Sequence, residues 1–444
     1  MIRIAIIGGG SYTWSPAFLR DLFGATELSG STVVLHDIDA ARLARVFALG
    51  QKMLRDFGLP FRLEQTLALE AALQEADFVV LTITTGRFQA MRPDLEIPAR
   101  YGIRQPVGDT TGPGGLARAL RNIPVLAEIG RQVMKTCPEA LFLNYTNPLS
   151  ALTRTLAQEG VKVVGLCHEW LGVRAKLATI FRVEPQQIES SLAGINHLPW
   201  VTGLWAAGRD VWPELPGIAE KILAGEILLD ADDDSVFADH ARVKARLFQI
   251  YEALPVAGDR HVSEFFSQFI QPSTAWGADY GIRLTGIADR LALEAAAENL
   301  IDAALRDAVP LAPFMAERSG EALVEIITAV VTGGCYTGVV NLPNTGQVAN
   351  LPRAAVVESG GVIDAAGPRP AQPVCLPPGV QAVVERHIRN QELAIQAARL
   401  GDRSLALQAL FNDPLSSRLS EEQSARMLSE LLEANRPYLP LFFT

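Results

Sequence analysis

Two stretches of the chain carry residue types that do chemistry. "GLCHEWLG" sets Cys167, His168 and Glu169 in a row behind an apolar run, and "AGINHLPW" supplies His197. Thiolate and imidazole both ligate first-row divalent metals. Two such ligands are too few for a structural zinc, which wants four; they suit an open site completed by substrate oxygens and water. The same residues also suit a core, where free cysteine behaves as a small hydrophobe. At the other end, "IRIAIIGGGSYTWSP" runs an apolar stretch into Gly8, Gly9 and Gly10, then Ser11 and Thr13. A strand, Gly-x-Gly turn and helix admit a pyrophosphate to the helix N-terminus, since a Cβ there would block the approach and forbid positive φ. Thr13 stands where a third glycine is expected, and Ser11 and Thr13 offer hydroxyls to phosphate. Asp37, closing the next apolar stretch, suits the ribose hydroxyls of NAD and would repel the extra phosphate of NADP. The glycines by themselves also fit an ordinary tight turn.

The elements that must position these residues alternate. Ile2 to Ile7, "STVVLHDID" and "ADFVVLTITTG" read as buried strands, and residues 14–29, 40–57 and "LARALRNIPVLAEIGRQVMKTC" as helices. "ALFLNYTNPLSALTRTLA" and "VKVVGLCHEWLGVRAKLATIF" repeat the strand–turn–helix order. Such alternation predicts parallel βαβ units and a doubly wound sheet of the Rossmann kind, which places Cys167 and His168 at the carboxyl end of a strand, where such sheets bind ligands. The predicted domains are 1–190, nucleotide-binding, and 191–444, an α+β region for substrate, metal and oligomer contacts. Residues 191–205 read as further strand, 287–307 and 383–435 as helices, and 338–370 as short strands between glycines and prolines. "DDD" at 232–234 reads as a solvated loop.

Composition bounds the partners. The 444 residues are 49% hydrophobic and 20% charged, with a formal net charge of -10. No basic excess is present to neutralise nucleic-acid phosphates or an anionic membrane. No 18-residue apolar run predicts a spanning helix. The opening residues read as a first strand rather than a signal peptide. Four cysteines make no disulfide framework, so a reducing cytoplasm is the expected compartment.

Seven pieces occur together: "GGGS" at 8–11, "HDID" at 36–39, "DLEIP" at 94–98, "YGIRQPVGDTTGPGGLARALRNIP" at 101–124, "NYTNPL" at 144–149, "CHEW" at 167–170 and "GINH" at 194–197. In this order the chain resembles glycoside hydrolase family 4, the NAD- and Mn²⁺-dependent glycosidases. "GDRHVSEFF" at 258–266 and "NLPNTGQVANLP" at 341–352 extend the likeness into the second half. The resemblance implies a lactate/malate dehydrogenase-like fold, a homodimer or homotetramer, and hydrolysis with no net redox change. The sugar is oxidised at C3, loses its C2 proton to a base, expels the C1 aglycone, takes up water and is reduced again.

Residue roles follow from the same resemblance. Cys167 and His197 match the metal ligands, and Gly8, Gly10, Ser11 and Asp37 the NAD site. Asn147 and Asp109 match positions that face the sugar. Asp259 is the expected base, with Tyr251 or Tyr280 as the alternative that phosphoglycosidase members suggest. His168, then Glu169, is the expected acid for the leaving group. His168 after the cysteine resembles members acting on unphosphorylated α-glycosides, and Glu169 resembles the galacturonidase-like subgroup; Trp170 departs from the valine expected there. A uronide needs a cation for its C6 carboxylate, and Arg92, Arg104 and Arg260 are the candidates. An α-galactoside or α-glucoside is the alternative within the family. A plain 2-hydroxy-acid dehydrogenase is the alternative outside it, but leaves Cys167 and the "QPVGDTTGPGG" loop without a task.

Overall fold

Six short strands build the first half: β1 (Arg3–Ile7), β2 (Thr32–His36), β3 (Arg62–Thr66), β4 (Phe78–Leu81), β5 (Leu141–Asn144) and β6 (Val163–Gly165). In the computed structural model, which describes residues 1–230, 233 and 235–443, they pair in parallel in the order β3-β2-β1-β4-β5-β6. That is the doubly wound dinucleotide-binding order, with its reversal between β1 and β4. Alternate side chains serve opposite faces. Ile4 and Ile6 pack with the helices Trp14–Phe23, Ala40–Phe57 and Leu323–Thr332, whereas Ala5 and Ile7 pack with Gly112–Thr136, Leu149–Gln158 and the C-terminal helices. Because the strands run parallel, Gly8, Thr82–Thr85, Tyr145–Asn147 and Leu166–His168 all emerge on one edge.

The sheet continues into the second half of the chain. β7 (Ile188–Ile195), β8 (Leu198–Ala206), β9 (Arg209–Asp210), β10 (Leu254–Pro255), β11 (Tyr336–Pro343), β12 (Val356–Asp364) and β13 (Gly367–Pro370) join it. β11 meets β6 antiparallel through Asn341 and Gly165, and β12 meets β7 through Glu358 and Gly194. β7 and β8 form a hairpin whose two turn residues are Asn196 and His197. His197 takes φ 65, the left-handed conformation such a turn demands. The region at 191–205 is therefore strand, as its pattern predicts, with a candidate ligand at its tip.

Two elements depart from the sequence reading. β3 is a strand although its sequence, RLEQT, buries one residue of five; edge pairing with β2 settles it. The helix Arg87–Arg100 contains Pro93 and Pro98, which mask its periodicity. It is held instead by Asp94, fully buried against the Arg121 guanidinium with contacts of 2.6 and 3.0 Å. The region read as helical over 383–435 resolves into Pro378–Leu400, Arg403–Phe411 and Glu421–Ala434. Of the acidic run, Asp233 is exposed, and Asp232 and Asp234 lie outside the described residues. Among the described residues no helix is long and apolar enough to cross a membrane.

Candidate functional site

The turn after β1 closes on its own neighbours. The amides of Gly8 and Gly9 both donate to the His36 carbonyl, at 2.9 and 2.8 Å. Gly8 has φ +95, and a Cβ there would collide with the Thr82 carbonyl oxygen; one on Gly10 would lie 2.8 Å from the Asp37 carboxylate. The turn is thus pressed against β2 and β4 in a way only glycine permits. Asp37 accepts from the Gly10 and Asp39 amides at 2.9 and 3.0 Å, which fixes its carboxylate beside the turn. Ser11 Oγ accepts from the Trp14 amide at 3.2 Å and opens the helix. Thr13 precedes that helix in a helical conformation without a side-chain cap. A backbone cradle that a Cβ would fill, beside an acid at the end of β2, fits a dinucleotide.

A second group assembles from distant segments. The ligating atoms of Asp109, His197 and His261 all lie within 4.8 Å of one another. The Thr110 hydroxyl donates to Asp109 at 2.8 Å and lies 2.9 Å from His197 Nδ1. The His197 and His261 rings are 3.9 Å apart between centroids. Among the described residues His261 Nδ1 is buried without a partner, and its Nε2 is 3.6 Å from Glu169. Glu169 also accepts from the Gly258 amide at 2.6 Å. Asn147 Nδ2 donates to Asp109 at 3.4 Å, and Arg118 donates to the Asn147 carbonyl at 3.0 Å.

The loop bearing Asp109 is built by its glycines and by Glu264. Glu264 accepts from the Val107 and Gly108 amides at 2.7 and 2.8 Å. Asp413 accepts from the Gly112 amide at 3.0 Å, satisfying an otherwise orphaned N–H at the start of the helix Gly112–Thr136. Gln105 spans the loop, donating to the Thr111 carbonyl and accepting from the Gly114 amide.

Electrostatics suits this group to a cation. Burial alone would raise the Asp109 carboxyl; the neighbouring guanidinium groups, Arg118 first and then Arg290, outweigh it and hold it below the usual carboxylate range. Burial, then His261, pushes His197 down to about 3, so its ring is neutral and keeps a lone pair. Burial lowers His261 likewise, against Glu169 and Asp109. Two neutral imidazoles and an ionised carboxylate, with one buried nitrogen unpartnered, fit a divalent first-row ion.

Cys167 follows β6 as predicted but is not one of the three grouped residues. Its thiol faces the Asn196 side chain, and burial together with Glu358 and Glu169 pushes it well up. His168 lies 3.0 Å from Glu321, which raises its pKa, and faces Trp14 across 6.5 Å.

Several candidates stand elsewhere. Asp259 accepts from the Val243 and Lys244 amides at 3.0 Å each, and pairs with the Lys244 ammonium at 3.2 Å. Its carboxylate starts the helix Arg242–Tyr251. Tyr251 packs on Trp200 at 5.2 Å, and Tyr280 on Phe269 at 5.0 Å, both within an aromatic core. Arg92 is exposed on its helix and pairs with Glu96. Arg104 stacks on Trp276. Arg260 is near the loop, donating to the Pro106 carbonyl and to Thr285. His261, Glu264, Arg118 and Arg290 were not singled out from sequence. The signal for the first two was there: "GDRHVSEFF" makes a one-turn helix, Asp259–Val262, on which residues two apart face opposite ways.

Comparison with known proteins matches a model described as family 4 glycosyl hydrolase to residues 3–183. A model of the family 4 glycosyl hydrolase C-terminal domain matches residues 192–416. The chain is 34% identical to the alpha-galacturonidase of Bacillus subtilis (strain 168) over 448 residues, 97% of each chain. The structure of a putative glucosidase from Bacillus subtilis superposes with TM-score 0.89 at 34% identity, covering 97% of this chain and 100% of that one. A 6-phospho-alpha-glucosidase from gut microorganisms, in complex with NAD and Mn²⁺, shares the fold with TM-score 0.83 at 21% identity, over 99% of each chain.

Proposed function

The chain belongs to the family 4 glycosyl hydrolases, and from that premise we propose that it cleaves a terminal, unphosphorylated α-glycoside bearing a C6 carboxylate. The substrate is then an α-galacturonide or α-glucuronide, and the cofactors are NAD and Mn²⁺. The observation that carries the reading is the convergence of Asp109, His197 and His261 within 4.8 Å. The alpha-galacturonidase relative supports the uronide, and the neighbour complexed with NAD and Mn²⁺ supports the cofactors. In this reading residues 1–190 hold the nucleotide, residues 191–444 complete the sugar end, and the enzyme works in the cytoplasm as a homo-oligomer.

Gly8, Gly10, Ser11 and Asp37 would hold NAD, and His197, Asp109 and His261, with Cys167 alongside, would hold the metal. When bound, NAD supplies a reversible redox step at C3 of the sugar, and the metal supplies Lewis-acid stabilisation of charge beside it. The protein does the rest. Asn147, fixed by Arg118 and Asp109, presents an amide to sugar hydroxyls. Glu169 stays ionised against its burial, accepting from the Gly258 amide, and can take the proton that the sugar loses. His168 keeps a proton through Glu321 and can return it to the leaving oxygen.

The test is a set of p-nitrophenyl α- and β-glycosides and uronides, with NAD and Mn²⁺ under reducing conditions. The expected result is turnover of an α-uronide that requires NAD and accumulates no NADH. NADH growing in step with turnover would make the protein a dehydrogenase. Equal rates on a galactoside and a galacturonide would remove the carboxylate from the reading.

A further inference from the structure

Among the described residues, Arg260 and Arg290 beside the Asp109 loop have no carboxylate partner. Arg260, on the one-turn helix Asp259–Val262, donates to the Val236 and Pro106 carbonyls and to the Thr285 hydroxyl, at 3.0, 3.3 and 2.6 Å. Arg290, from the helix Ile287–Leu305, donates to the Val107 carbonyl at 2.6 Å. Every one of these partners is a neutral oxygen. The Nε of each arginine is buried and has no hydrogen-bond partner. Among the described residues neither makes an ion pair, unlike Arg42, Arg121 and Arg154.

Such an arrangement is costly unless something completes it. A buried donor left unmade costs its desolvation, more so when charged. Here two positive groups are close enough for Arg290 to disfavour the charge on Arg260. Asp109 and Glu264 lie within Coulombic reach of both. Glu264 does not balance them, since its carboxylate oxygen is taken by two loop amides and burial, with Asp109, lifts it to about 8. Asp109 is assigned to the metal group. The local surplus is positive, it borders the sugar end, and its unmade N–H groups are the donors a carboxylate accepts from.

We infer that Arg290, with Arg260 beside it, receives the C6 carboxylate of the sugar and sets the preference for a uronide over its neutral counterpart. This rests on the proposed uronide substrate. Arg290 leads because one of its five N–H groups has a partner in the protein, whereas Arg260 spends three on the loop and its surroundings. The guanidinium that ties down Val107 therefore couples carboxylate binding to the loop that presents Asp109.

The experiment compares wild type, Arg290→Gln and Arg290→Lys on p-nitrophenyl α-D-galacturonide and α-D-galactoside, with calorimetric titration of free galacturonic acid and galactose alongside. The expected result is that Arg290→Gln lowers the uronide-to-galactoside ratio of kcat/KM by about one to two orders of magnitude, mostly through KM. Galacturonic acid binding weakens in parallel, and Arg290→Lys, keeping a point charge without the fork, lies between. A wild type that prefers the uronide, with an Arg290→Gln ratio like its own, overturns the inference and leaves the uronide reading standing. A wild type without that preference overturns both. Should Arg290→Gln not fold, the Lys variant decides: an unchanged ratio and unchanged acid binding overturn the inference.

Discussion

The two ends of the site are built in opposite ways. The glycine turn is hydrogen-bonded within residues 8–42: Gly8 and Gly9 bond to His36, Gly10 to Asp37, and Arg42 returns to the Gly10 carbonyl at 3.1 Å. The sugar end draws Asp109, Asn147, Glu169, His197, His261, Glu264 and Arg290 from six separate segments. A local motif carries its own geometry, so it can be read from spacing. An assembly of distant segments depends on the whole sheet and on the C-terminal helices, and its members can be mistaken for their chain neighbours.

The sharpest break between the two ends is His197→Ala. Turnover is expected to fall about a thousandfold or more, as when charge stabilisation at a reacting centre is lost. Mn²⁺ affinity, measured by titration, falls with it, while NAD affinity stays within about twofold of wild type, inside the scatter of distant independent sites. A variant that still bound Mn²⁺ at wild-type strength would show that the Asp109–His197–His261 group is not the metal site.

Asp259→Asn comes next and separates structure from chemistry. Removing one partner of a buried ion pair costs about 3–5 kcal/mol, and here Lys244 would be left with Asp239 alone. Denaturant melts should show that loss, and the pH profile of kcat should keep its shape. Loss of turnover with unchanged stability would give Asp259 the role of base.

That pair also shows where legibility ends. The alternation of strand and helix, the glycine turn and the strand at 191–205 are all signalled by short-range pattern, because apolar alternation and turn chemistry act over a few residues. Which side of the Asp259–Val262 turn faces the sugar is decided by Lys244 and Asp239, and nothing in "GDRHVSEFF" specifies them. Likewise Arg92 adjoins a motif, yet its helix turns it to solvent. Arg290 sits in no motif, and only the packing of the helix Ile287–Leu305 brings it to Val107.

A smaller effect tests how the C-terminal helices hold the sugar end. Asp413 accepts from Thr111, Gly112 and Leu415, and burial lifts its carboxyl to about 6 against those bonds. The folded protein then holds this proton more tightly than the unfolded chain does. Its contribution to stability is present at low pH and is lost as pH rises from the ordinary aspartate value to about 6, by at most ~3 kcal/mol. Melts between pH 4 and 7 should show a decline that Asp413→Asn removes. A slope identical in the variant would mean that Asp413 titrates normally.

The least costly break is at the nucleotide end. Asp37 already accepts two amides, and its carboxylate is the charged acceptor that would meet the ribose hydroxyls. Asp37→Ala deletes hydrogen bonds to a charged group, worth about 1.5–3 kcal/mol each, and frees the Gly10 amide. NAD affinity, followed by quenching of protein fluorescence, should fall by about tenfold to a hundredfold. Mn²⁺ affinity should not move, because no residue of the Asp109–His197–His261 group is tied to the turn by a hydrogen bond. Saturating NAD should then restore most of the turnover, which separates a binding loss from a catalytic one. An unchanged NAD affinity would show that Asp37 serves the turn alone, and equal losses of NAD and Mn²⁺ would show that the two ends are one cooperative unit rather than two.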